Sequence, residues 1–278
     1  MRIEEYPAQE PLSALGLGYH EKARAAGAGI TGVDEAYGDD PYQRLSIHRA
    51  VRPHGDVLVF LHGGGWTNGY KEMMGYMAPA FTARGVMFAS VGYRLAPMHP
   101  WPACFEDCAA AMAWLVKNVA AKGGDPKRIF LGGRSAGGHL SSLLAVRRDW
   151  QARHGIPVDA IRGCIPVSGV YLFGEGSGLT NRPRFLGPVE QKNETAASPL
   201  RNIQGTPPPF FMARGEKDFP HLIRQADDMM AALKKAGSPV ALEVLPGCDH
   251  LGTGVPTGDP NSPWMAKAHA FMTAHAAR

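Results

Sequence analysis

Five residues, Gly133-Arg134-Ser135-Ala136-Gly137, carry the Gly-x-Ser-x-Gly pattern of a nucleophile held on a sharp turn between a strand and a helix. An apolar run ends at Leu131 just before them, and a helical stripe of Leu140, Leu143 and Leu144 follows. Small residues two places either side of the serine let helix and strand approach without Cβ clashes. The hydroxyl then sits at a helix N-terminus, where backbone N–H groups favour negative charge. A phosphate-binding loop is the competing use of such glycines. It is disfavoured because Gly138-His139 stands where Lys and Ser/Thr would follow, and Arg134 interrupts a dinucleotide-type Gly-x-Gly. A second group, His62-Gly63-Gly64-Gly65-Trp66, directly follows the apolar run 57–61. Three successive glycines leave backbone N–H groups able to approach a large group closely, as donors to a developing oxyanion must. Both motifs point to acyl transfer through a serine.

With Tyr93-Arg94-Leu95-Ala96-Pro97 between them, the two motifs resemble those of α/β-hydrolases of the hormone-sensitive-lipase-like esterase group. Kynurenine-formamidase-like and bacterial feruloyl/acetyl-esterase-like members are also similar. The resemblance covers about residues 33–278 and implies that the backbone N–H groups of Gly64, Gly65 and Ala136 hold the oxyanion. It departs from the first group at Arg134, where an acidic residue is usual, and from the formamidases at Gly65, where Tyr is typical. A serine needs a base and the base an orienting acid, which in this fold follow in the order Ser, Asp or Glu, His. Asp218 lies a few residues past the apolar run 210–213, and His250 holds the equivalent place after 240–245. The expected triad is therefore Ser135, Asp218 and His250. Glu216 lies nearer its strand, Asp249 adjoins the histidine and points elsewhere, and Asp227 and Asp228 fall within a helix. His139 shares the serine's helix and His62 its glycine loop, so structural hydrogen bonds are expected of both.

Groups so far apart in sequence need a scaffold that gathers them. Apolar runs at 57–61, 86–91, 128–131, 161–167, 210–213 and 240–245 read as buried parallel strands. Residues 33–37 and 44–51 make a leading pair, turning near Gly38-Asp39-Asp40-Pro41. Helical stripes lie between the runs: Phe105 to Val119, Leu222 to Leu233, and Trp264 to Met272. Strand–helix alternation over most of the chain predicts one α/β domain, residues 1–278, with a mostly parallel eight-stranded sheet covered on both faces. Two stretches break the alternation: 1–32, with a helical piece from Leu12 to Ala26, and 169–206, rich in Gly and Pro. Both are expected to form a small cap. Trp66 beside the glycine loop and Tyr171, Phe173 and Phe185 in the cap are candidate contacts for an apolar or aromatic part of the substrate, or else cap core.

Composition narrows the function further. The 278 residues are 45% hydrophobic and 19% charged, enough apolar material for a sizeable core. The formal net charge is only +4 and no long basic run occurs, so a nucleic-acid partner is not expected. No apolar stretch nears the ~18 residues of a membrane span, and the first residues lack a secretory signal's apolar centre, so a cytoplasmic protein is expected. Cys104, Cys108, Cys164 and Cys248 are too scattered for a disulfide framework, and no second pair completes a metal site. The sequence thus reads as a cofactor- and metal-independent serine esterase for short acyl or compact aromatic esters. An arylformamidase with the same machinery is the main alternative, and a binding protein that has kept only the fold is a remote one. The oligomeric state stays open, a dimer included.

Overall fold

The computed structural model describes residues 3–179 and 183–276. Residues 180–182 of the expected cap stretch, and 1–2 of the leading one, lie outside the described residues. The leading pair is an antiparallel ribbon of β1 (Val33–Ala36) and β2 (Arg44–His48). Next come β3 (Val57–Leu61), β4 (Met87–Val91), β5 (Ile129–Arg134) and β6 (Ile161–Val167), each buried along its whole length. β7 (Phe210–Lys217) and β8 (Val240–Asp249) complete one eight-stranded sheet in the order β1-β2-β4-β3-β5-β6-β7-β8. From β4 onward every pairing is parallel, and β2 joins β4 antiparallel.

Successive side chains of a strand point to opposite faces, and the core divides accordingly. Val57, Val59 and Leu61 of β3, Ile129 and Leu131 of β5, and Phe210 and Met212 of β7 bury into one apolar layer. Leu58, Phe60, Phe130, Phe211 and Ala213 bury into the other. Helices supply both covers. In chain order they are α1 (Ala14–Gly27), α2 (Ala78–Thr82), α3 (Ala103–Asn118), α4 (Ala136–Val146), α5 (Asp149–His154), α6 (Glu194–Ala197), α7 (Pro220–Lys235), α8 (Gly254–Gly258) and α9 (Pro263–His275). Residues of α3, α4 and α7 fill the first layer, and those of α2 and α9 the second.

Local chemistry sets several boundaries. Ser13 caps α1 by accepting from the Gly16 N–H at 3.1 Å, and Ser262 caps α9 by accepting from the Met265 N–H at 3.1 Å. Proline in the first turn of α7 and α9 has no N–H to leave unpaired. The four cysteines are free thiols, three of them buried. Among the described residues, no helix is long and apolar enough to cross a membrane.

Candidate active site

Ser135 occupies the turn between β5 and α4 with φ 55° and ψ −117°, a left-handed conformation that a side-chain-bearing residue seldom adopts. Its N–H donates to the Val167 carbonyl at 2.9 Å, which ties the strained turn to β6. The glycine spacing has its expected reason. A Cβ at Gly133 would stand 2.3 Å from the Gly137 oxygen, and one at Gly137 would stand 2.0 Å from the Leu61 oxygen. Both are contacts with rigid backbone, so helix and strand close on the serine only because neither residue has a side chain.

The three expected polar residues meet. β7 delivers Asp218 and β8 delivers His250, each just past its strand's end. Ser135 Oγ lies 2.9 Å from His250 Nε2, and His250 Nδ1 lies 2.8 Å from Asp218 Oδ1. In the direction the charges require, Nδ1–H donates to the carboxylate and Nε2 accepts from the serine hydroxyl. Asp218 is 4% exposed. Burial opposes its ionisation, but the hydrogen bond and charge of His250, the Ser168 hydroxyl and the Phe219 N–H together hold its carboxyl below the usual range. The His250 side chain keeps 12% exposure, Ser135 is half-buried, and Gly64 and Gly65 lie half-buried and exposed. Ser135 thus keeps some solvent access, and the glycine loop beside it is partly open to solvent.

That loop, residues 62–69, turns tightly. The N–H groups of Thr67 and Asn68 both donate to the Gly64 carbonyl. Gly64 and Gly65 have φ 122° and 61°, and among the described residues their own N–H groups donate to no protein acceptor. Gly63 packs on the elbow: a Cβ there would stand 2.9 Å from the Arg134 oxygen. The Ala136 N–H belongs to the first turn of α4, whose leading donors have no partner within the helix. Beside the loop, between residues 7–11 and 95–99 and with Thr67 in its wall, opens a cleft of about 390 Å³.

The aromatic candidates separate. Trp66 stacks on Phe185 with ring centroids 4.3 Å apart, and Phe173 lies 5.4 Å from Trp66. Tyr171 stands outside this cluster, its N–H donating to Gln225 Oε1. All four are at most 3% exposed, so they offer almost no face to a ligand, and Trp66, Phe173 and Phe185 back the glycine loop. His139 sits in the cluster. Its Nδ1 accepts from Trp66 Nε1 at 3.0 Å and its Nε2–H donates to the Ala197 carbonyl at 2.7 Å. His62 Nδ1 donates to the Gly63 carbonyl, and its ring stacks on Tyr93 at 4.2 Å. Burial pushes both imidazoles down to about 4, so each is neutral and structural. Glu216 accepts from the Gly247 N–H and Asp249 from the Gly252 N–H, both away from the serine.

Two neighbours escaped the sequence reading. Ser168 is buried, with φ 48°, and its hydroxyl lies on the Asp218 side. Phe219 is 46% exposed, with its ring centroid 5.0 Å from that of His250. A lone serine after a strand and a lone phenylalanine after an aspartate carry no pattern; their places directly after Val167 and Asp218 are the only signal the sequence holds.

Comparisons with known proteins agree with this architecture. A model of the alpha/beta hydrolase fold matches residues 58–253. The chain is 32% identical over 234 residues to the esterase LipC of Mycobacterium tuberculosis, a match covering 77% of this chain and 58% of that protein. The matches to the mycobacterial esterases LipC, LipQ and LipM span between about half and three-fifths of those proteins' length. It is 28% identical to kynurenine formamidase of Salmo salar, over 82% of this chain and 77% of that one. Among solved structures, EstE1, a thermophilic carboxylesterase cloned from a metagenomic library, is similar with a TM-score of 0.74 and 22% identity, covering 94% of both chains. At that identity the likeness is one of fold.

Proposed function

The chain belongs to the alpha/beta hydrolase family, and from that premise we propose that it is a serine esterase acting on short acyl or compact aromatic carboxylic esters. The observation that carries the reading is the unbroken chain from Ser135 Oγ through His250 to Asp218, with links of 2.9 and 2.8 Å. Ser135 attacks the ester carbonyl as its proton passes to His250 Nε2. Asp218 keeps Nδ1 protonated and stabilises the imidazolium. The N–H groups of Gly64, Gly65 and Ala136 receive the oxyanion. Its collapse expels the alcohol, which takes the proton back from His250 and leaves an acyl-serine. Water then attacks that ester with His250 as base, and the carboxylic acid and free Ser135 are regenerated. No cofactor or metal enters these steps.

Residues 1–32 and about 169–206 serve, in this reading, as the cap of a single domain. An ion pair between Glu10 and Arg184 joins the two stretches. Trp66, Phe173 and Phe185 anchor the cap behind the oxyanion loop. Together these two short stretches can roof a pocket for a short chain or one ring but not a long apolar tunnel. The Salmo salar relative favours a second reading, hydrolysis of an N-formyl-arylamine by the same groups.

The test is a panel of p-nitrophenyl esters of increasing chain length with one N-formyl-arylamine included. Each methylene left unburied forgoes roughly 0.8 kcal/mol, so kcat/KM should peak at a short chain. Ser135→Ala should lower kcat by about three orders of magnitude or more and abolish stoichiometric phosphonate labelling, with the unfolding midpoint unchanged. Turnover of the formamide alone would select the second reading. Labelling that persists in the variant would move the nucleophile elsewhere.

A further inference from the structure

The residue immediately before the nucleophile is a buried cation that, among the described residues, has no anion. Arg134 is 2% exposed. Its Nε–H donates to Thr253 Oγ1 at 3.2 Å, an Nη2–H donates to the main-chain carbonyl of His250, and its Cζ lies 4.4 Å from the Tyr19 ring centroid. Among the described residues no carboxylate pairs with it. Thr253 Oγ1 also donates to the His250 carbonyl, at 2.9 Å. Two donors from different parts of the chain thus converge on one oxygen, the carbonyl of the residue whose ring faces Ser135. Thr257 continues the knot by donating to the Thr253 carbonyl at 3.1 Å, and the Tyr76 ring packs tightly on Gly258.

Desolvating a guanidinium without a carboxylate costs more than burying an apolar side chain of the same size. Stability alone therefore gives no reason for arginine here. Geometry gives one. The His250 loop presents an acceptor, and an acidic side chain at position 134 would set a second acceptor against it. An arginine instead bonds this carbonyl and is covalently joined to Ser135, so one residue fixes both ends of the Ser135–His250 hydrogen bond. We propose that Arg134 is a positioning residue that sets the His250 imidazole over Ser135 through the His250 main chain. The proposal rests on the reading of Ser135 and His250 as nucleophile and base.

Arg134→Met removes the donors while filling the space, and Arg134→Ala leaves room for free guanidinium. Misplacement of a reacting group by about an ångström can lower rate by ~100-fold. Arg134→Met should therefore lose roughly ten- to a hundredfold in kcat with KM within about twofold, while its urea midpoint stays level or rises. Millimolar guanidinium should restore part of kcat to Arg134→Ala and none to Ser135→Ala. Thr253→Val, which removes the second donor, should show the same kcat-selective loss in smaller measure, and it decides the matter if the Arg134 variants do not fold. Wild-type kcat in Arg134→Met overturns the proposal. So does a loss that follows a lowered midpoint and ignores guanidinium, or an unchanged kcat in Thr253→Val. Full activity in Ser135→Ala would instead overturn the underlying reading of the site.

Discussion

At the scale of single residues, the site depends as much on what is missing as on what is present. Gly137 and Gly65 show two different reasons for a glycine. A methyl at Gly137 would press into the Leu61 carbonyl at 2.0 Å, whereas one at Gly65 would meet nothing within 4 Å but would hold an L-residue at φ 61°. Gly137→Ala should therefore force strand and helix apart and lower stability by about 1–3 kcal/mol or prevent folding, with activity lost. Gly65→Ala should cost only about 1–2 kcal/mol of backbone strain and remain folded. Urea midpoints of the two purified variants check the contrast; equal losses would contradict it. The glycine spacing was legible because its cause is local, the meeting of one strand with the next helix. That Ser135, Asp218 and His250 come together was legible through chain order and strand ends. Arg134 read only as a departure, because its partners lie more than a hundred residues away and only the fold brings them close. Ser168 was silent because a lone serine after a strand carries no pattern, and only the fold sets it beside Asp218.

Among elements, the strands were the easiest to read. β3 to β6 are buried on both faces, so they read as mostly apolar runs without alternation, unbroken in β3 and interrupted by Arg162 and Gly163 in β6. The cap was harder. Its aromatic content was plain, but apolar residues without periodicity do not say whether they face a ligand or one another. Here Phe185 faces Trp66, and its carbonyl accepts from the Trp101 N–H at 2.8 Å. The stretch carrying Phe185 is thereby fastened to the glycine loop through one stacked pair. Phe185→Ala should lower global stability by about 3 kcal/mol and raise KM more than it lowers kcat, because the loop's backing loosens while the Ser135–His250 pair stays intact. Denaturation followed by tryptophan fluorescence, with steady-state kinetics, checks this. A KM unchanged despite the stability loss would show that the cap does not brace the site.

Across the whole molecule, the buried histidines tie stability to pH. His62 and His139 are neutral in the folded protein, with burial pushing each down to about 4. Burial also lowers His20 and His48. An unfolded histidine titrates near ~6.5, so between about 6.5 and 4 the unfolded chain binds more protons than the native one. Stability then rises with pH across that window and is lost as pH falls through it. For each of His62 and His139 the shift is worth roughly 3 kcal/mol at most. Asp218, held low, works in the same direction further into acid: its stabilisation is lost as pH falls from the unfolded carboxylate range through its own lowered value. The urea midpoint of the wild type should fall steeply from pH 7.5 to 5. His139→Gln, which retains a donor for Ala197 and an acceptor for Trp66, should fall less; parallel slopes would remove His139 from the account.

Ser135 reaches its left-handed turn only inside a cradle of three strands. Its N–H is held by β6, its neighbours press on Leu61 at the end of β3, and its own strand lies between them. Before those strands are in register, nothing compensates the strain, and a serine on a relaxed turn is an ordinary alcohol. The His250 strand sits two places further out, beyond β7. A chain that has collapsed and gained helices but not closed this sheet would remain chemically inert. Reactivity would then appear late in refolding, after most secondary structure, because it waits on contacts between distant stretches of sequence. An intermediate caught on the way could aggregate, but it could not acylate itself.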